Sequence, residues 1–236
     1  MSDPTSIQSV CKNCPTATSG LCKALIAASP SDTSTPPRKE GRLSANLYLQ
    51  RRDERVADFK ILKTGWAAMV QNIASGDRLI ADFMVPGDVI GLGRWMKGSP
   101  FYSVQAISDV TFCSFAAQPV FDTTLVEPGL LRLLLERASD FTEQKQRRLF
   151  DIARRDAEAR ILSLLFGLYE RFEARGLAQG GVMPFPLRQR HLADATGLTQ
   201  VHVSRVMKTL RERKLLWIDK KGLHIPDLER VRTLLS

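Results

Sequence analysis

A change of hydrophobic period near Pro128 divides this chain into two kinds of structure. Before it, short apolar runs alternate with turn signals. Residues 58–62 and 66–71 flank a Lys63-Thr64-Gly65 turn, residues 78–84 follow Ser75-Gly76-Asp77, and further strands are predicted at 104–107 and 110–115. Strand-like runs punctuated at such short intervals predict an all-β barrel or roll. Val85-Pro86-Gly87-Asp88 is one of its turns, with proline fixing φ and glycine supplying a permissive backbone. After Pro128 a helical pattern with few breakers continues to about residue 174. Leu131, Leu134, Ala138, Phe141, Lys145, Leu149 and Ile152 recur three and four apart, as in a helix that pairs with another helix. A helix packing within its own domain would show similar spacing, but Arg147-Arg148 and Arg154-Arg155-Asp156 oppose full burial. Lys145 on the seam sets like charges face to face in a symmetric pair and makes pairing conditional.

The chain closes on a basic segment. Residues 187–236 hold 11 lysines and arginines against 5 aspartates and glutamates, so the last fifth of the sequence carries two thirds of the formal net charge of +9. Charge gathered in this way points to a polyanionic partner, nucleic acid. Residues 187–216, LRQRHLADATGLTQVHVSRVMKTLRERKLL, contain two helical stretches separated at Thr196-Gly197. Leu192, Ala193, Leu198, Val203, Val206, Met207 and Leu210 supply the apolar contacts of a compact helix-turn-helix. Thr199 is suited to cap the second helix, leaving Gln200, Val201, His202, Ser204 and Arg205 near its exposed start and Lys208 one turn further on. Arginine forks onto guanine and glutamine pairs with adenine in the major groove. Arg188 and Gln189, near the start of the first helical stretch, are further candidates for DNA contact. A hairpin follows, with Lys220 and Lys221 at its tip placed for phosphate, making a winged helix-turn-helix. A helical protein-interaction domain with a solvated basic face is the bland alternative. His191 is read as structural.

At 236 residues and 44% apolar, the chain has material for more than one core. No apolar run reaches the 18 or so residues of a membrane span and no export signal is evident, so a soluble cytoplasmic protein is expected, without a membrane partner. Four cysteines in that compartment are expected to serve metal or redox chemistry rather than disulfides. Cys11, Cys14 and Cys22 form C-x2-C-x7-C in an N-terminal arm, and Cys113 lies far off in a predicted strand. That spacing alone serves zinc, a thiol switch or an iron-sulfur cluster. No nucleophile motif, P-loop or dinucleotide fingerprint is present, so no enzyme is expected.

The arm CKNCPTATSGLC, the stretches GDRLIADFMVPGDVIGL and AISDVTFCSF, the long helix and GLTQVHVSRVMKTLRERKLL together resemble the FNR branch of the CRP/FNR regulators. The resemblance implies an α+β fold with five parts: a cysteine arm (1–28), a linker (29–46), a β-roll sensor of double-stranded β-helix, cupin-like form (47–127), a dimerisation helix with hinge (128–175) and a winged helix-turn-helix (176–236). It further implies that Cys11, Cys14, Cys22 and Cys113 ligate an oxygen-labile [4Fe-4S] cluster, and that a homodimer binds palindromic promoter DNA and meets RNA polymerase. Two departures bear on ligands. Tyr102 precedes Ser103 where cyclic-nucleotide binders carry an Arg-Ser pair, so no cyclic nucleotide is expected. The family's E-x-x-S-R becomes Val201-His202-Val203-Ser204-Arg205, which implies a half-site differing from TTGA at the base a glutamate would read.

Overall fold

The computed structural model describes residues 11, 14, 16–17, 20–27, 38–54, 58–72, 78–91, 101–118 and 128–235. The Ser75-Gly76-Asp77 turn and most of the Ser/Pro-rich linker lie outside them. Two compact units emerge: 1–70 with 82–140, and 71–81 with 141–236.

The first unit is built on β1 (Arg38–Leu43), β2 (Tyr48–Gln50), β3 (Asp58–Thr64), β4 (Ala67–Asn72), β5 (Arg78–Met84), β6 (Val89–Ile90), β7 (Ser103–Ala106) and β8 (Val110–Ala116). They form two four-stranded sheets in the orders β1-β8-β3-β6 and β2-β7-β4-β5, the winding of a β-roll. The chain thus passes from sheet to sheet rather than meandering within one. In β3 and β8 the period-two alternation sends Phe59, Ile61, Cys113 and Phe115 to one buried face. Phe59 stacks on its cross-strand partner Phe115 with ring centroids 5.3 Å apart. That face is covered by α1 (Gly20–Ala27) through Leu21 and Leu25, and by the start of α2 (Pro128–Arg154) through Leu130, with Leu133 and Leu134 packed alongside. Tight turns hold the roll's edges. Gly65 sits at φ 82, and a Cβ there would meet the Asp109 carbonyl oxygen at 2.2 Å, so the close approach needs glycine.

The expected linker runs into β1, which is extended as its composition allows but is also paired with β8 from Arg38↔Phe115 to Leu43↔Val110. The expected single helix is broken. α2 ends at Arg154, and α3 (Ala157–Glu173) restarts with Asp156 as its cap, the carboxylate accepting from Ala159 N at 2.8 Å. Arg155 fixes the break by donating to Asp151 (2.6 Å) and to the Leu235 carbonyl (2.5 Å), while Ser163 donates to the other Asp151 oxygen (2.6 Å).

In the second unit α3, α4 (Gln189–Thr196), α5 (Gln200–Glu212) and α6 (Leu228–Leu235) accompany a three-stranded sheet in the order β10-β11-β9, formed by β9 (Val182–Met183), β10 (Trp217–Asp219) and β11 (Gly222–His224). Ile161, Leu165, Leu192, Val203, Leu210, Leu216, Leu223 and Val231 are buried within it.

Candidate nucleic-acid interface and cysteine site

α4 and α5 are joined by a short turn in which Gly197, at φ 70, donates its N–H to the Ala193 carbonyl at 2.9 Å and closes α4. Thr199 then opens α5, its hydroxyl accepting from His202 N at 3.2 Å. The helix period buries Val203, Val206 and Leu210 and leaves Gln200, Val201, His202, Ser204, Arg205 and Lys208 exposed on the other side. Arg188 and Gln189 are exposed at the start of α4. His191 is buried, its Nδ1 accepting from Arg188 N at 3.1 Å. Burial, and then the neighbouring charges of Arg190, Arg78 and Arg188, push its pKa down to about 4, so the ring is neutral and serves as packing.

Two guanidiniums hold the last carbonyls of α4. Arg148 donates to the Ala195 oxygen at 2.7 Å and to the Ile80 oxygen at 3.2 Å, and Arg160 donates to the Thr196 oxygen at 3.0 Å. Cations on these orphan acceptors suit a helix C-terminus. Arg78 adds a 3.7 Å ion pair to Asp194. Sequence reasoning passed over these residues because arginines in a charge-rich helix give no sign of which carbonyl they reach.

The wing is stiffened at its base. Asp219 accepts from the Lys221 N–H at 2.7 Å and contacts His224 Nε2 at 2.8 Å, and Trp217 stacks on the His224 ring at 4.9 Å. The His224 contact, with the Lys221 amide next, holds the Asp219 carboxyl below its usual range. Lys220 and Lys221 project at the tip, both exposed.

The cysteines gather in the first unit. Cys14 N donates to the Cys11 oxygen at 3.0 Å, making a turn, and Cys22 lies on α1. Buried Thr16 places its hydroxyl 3.3 Å from the Cys14 sulfur and 3.8 Å from the Cys22 sulfur. Cys113 is buried among Leu21, Leu25, Phe59 and Phe115, with Cys22 packed against the same cluster. Burial pushes the Cys22 thiol up to about 11; the Thr16 contact opposes this, and Cys113, Cys14 and Cys11 add to it. All four cysteines are free of disulfides. As the side chains stand, no three His, Cys, Asp or Glu among the described residues could hold a metal ion. Lys63, paired with Glu40 at 2.7 Å, has its pKa raised first by that hydrogen bond and further by Cys113 and Cys14. Thr16 was not anticipated: one threonine in an arm rich in Thr and Ser carries no periodic signal.

Along α2, Ala138, Phe141, Leu149 and Ile152 are exposed, Leu149 to 69%. Lys145 is half-buried and lays its Nζ 4.6 Å from the centre of the Phe141 ring. Leu134 packs on the roll's core instead, and Leu131 and Leu135 carry the exposed apolar surface in the first turns.

Comparison with known proteins bears on both units. A cyclic nucleotide-binding domain model matches residues 40–123, and a Crp-like helix-turn-helix domain model matches residues 159–234. The chain belongs to the CRP/FNR family. It is 29% identical over 224 residues to the nitrogen fixation regulation protein FixK of Bradyrhizobium diazoefficiens, spanning 95% of this chain and 93% of that one. To the transcriptional activator protein Anr of Pseudomonas protegens it is 25% identical over 233 residues, 96% of this chain and 94% of Anr. The structure of FixK2 from Bradyrhizobium japonicum superposes with a TM-score of 0.74 at 21% identity, covering 85% of this chain and 98% of FixK2. CRP/FNR regulators bind DNA through such a reader and usually act as dimers. Among the described residues no helix is long and apolar enough to cross a membrane.

Proposed function

We propose that this CRP/FNR regulator responds to oxygen through a [4Fe-4S] cluster held by Cys11, Cys14, Cys22 and Cys113, and reads palindromic promoter DNA as a homodimer. The observation that supports the reading is that Cys22 of the arm packs against the apolar cluster that buries Cys113 of β8, while the Thr16 hydroxyl links the sulfurs of Cys14 and Cys22. The donor set fits. Four soft sulfurs suit iron-sulfur ligation, and the sulfurs around a cubane stand apart on a cage rather than converging on one ion. When bound, such a cluster supplies the sensitivity to oxygen.

The chain's own residues do the rest. Leu21 and Leu25 seat α1 in the same core cluster as Leu130 at the root of α2, so fastening or freeing the arm acts on that root. The Lys63 ammonium lies within electrostatic reach of Cys113 and Cys14 and favours negative charge there. Along α2 the exposed apolar residues would pair with a second copy, opposed by Lys145, so a modest bias from the sensor decides the balance. The two readers of a dimer address two half-sites, and RNA polymerase is the natural partner of a regulator so placed. No cyclic nucleotide enters this reading. Tyr102 is half-buried, and its hydroxyl's pKa is raised first by desolvation and then by the Asp82 carboxylate, surroundings unsuited to a phosphate.

Anaerobic purification followed by iron and sulfide analysis tests the proposal. About four irons and four sulfides per chain are expected, with a brown colour that air bleaches. Zinc with no iron and no colour would replace the cluster by a structural metal.

A further inference from the structure

We propose that Val201 is a specificity-determining residue that reads the 5-methyl group of a thymine lying one or two base pairs from the guanine read by Arg205. The proposal rests on α5 being a DNA-recognition helix and deepens that reading.

Val201 is 63% exposed, whereas Val203, Val206 and Leu210 of the same helix are buried. It therefore contributes nothing to the packing of α5, and a β-branched side chain gives the helix no propensity advantage. The Thr199 cap fixes the start of α5, so Val201 stands in its first turn, where recognition helices touch base edges. Gln200 and His202 are exposed on either side, leaving Val201 an apolar spot on a polar surface.

Val201 and Arg205 are four residues apart and share a helix face, with Cβ atoms about 5–6 Å from each other. Base pairs succeed one another every 3.4 Å or so, so the two side chains span one or two steps. In the major groove thymine alone offers a methyl group, while adenine and cytosine present amino donors that an isopropyl group cannot accept. A purine or cytosine beneath Val201 would leave polar atoms desolvated and unpaired, which turns the contact into discrimination.

The test uses full-length protein purified anaerobically and duplexes selected from random DNA. Deoxyuridine is then placed for each thymine in turn, which removes the methyl and keeps every hydrogen-bonding atom. Wild type should lose about fourfold in affinity at one thymine per half-site, the worth of one buried methyl group. Val201→Ala should bind thymine and uracil duplexes alike while keeping the wild-type salt slope, and Arg205→Ala should retain the uracil penalty. No uracil penalty at any thymine, or a full penalty persisting in Val201→Ala, overturns the proposal while leaving sequence-selective binding in place. Failure to select any sequence overturns the recognition-helix reading as well.

Discussion

Arg205 and Lys220 are both exposed cations of the reader, yet they are expected to act differently on DNA. Arg205, on the first turns of α5, is the one expected to meet a base edge. Arg205→Ala should cost about 1–3 kcal/mol at the preferred site and relax specificity at one position of each half-site. Lys220, at the wing tip, is expected to meet phosphate, so Lys220→Ala should weaken all sequences alike and lower the salt slope by about 1. Titrations of specific and scrambled duplexes at several salt concentrations check both; equal weakening of every site by Arg205→Ala would reverse the roles. His191 gives a stability prediction. Its folded pKa, near 4, lies below its ordinary value of 6.5, so the unfolded chain binds more protons between those values. Stability should therefore fall as pH drops from about 6.5 towards 4, by up to about 1.4 kcal/mol per pH unit from this group, and His191→Gln should flatten that slope in denaturant melts. At this scale the sequence was most informative where a residue works locally. Thr199 as cap follows from its own chemistry and its neighbours. Thr16, Arg148 and Arg160 act on atoms far away in the chain or outside any repeating pattern, and no local rule exposes them.

At the scale of elements, the strands with alternating patterns were legible, β3, β4, β5, β7 and β8 among them, as were both helices of the reader. β1 was not, because RKEGRL has hardly any apolar face. It is a strand because β8 offers it a ladder, and because Gly41, lacking a Cβ, lets the Phe112 ring lie over it. The break at Arg155 was hidden by the helical period on either side, although Asp156 before an apolar run is a capping signal. The stripe on α2 was legible in spacing but not in its first turn, where tertiary packing draws Leu134 to the core. Since Leu149 is exposed and contributes little to the fold of the single chain, Leu149→Arg should leave thermal stability within about 0.5 kcal/mol of wild type. It should nevertheless abolish dimerisation in sedimentation, and an unchanged dimer would remove α2 as the pairing surface.

For the whole molecule, the telling feature is that the boundary between the two compact units falls inside elements and not between them. α2 belongs to the first unit up to Asp140 and to the second from Phe141, and β5 is divided between Ala81 and Asp82. The cysteine arm and the root of α2 meet in one hydrophobic cluster, so under the proposed function the state of the arm is expected to bear on α2 and its pairing. Domain order was readable from the change of period at Pro128, whereas this sharing of elements depends on contacts between residues distant in sequence. On the proposed function, the four thiols govern pairing and, through it, DNA binding. Sedimentation combined with DNA titration of wild type and Cys113→Ser, each with and without oxygen, tests it directly. Only the oxygen-free wild type should be mainly dimeric and bind its site tightly; the other three samples should shift to monomer and bind more weakly. Equal dimer fractions and equal affinities in all four samples would contradict it.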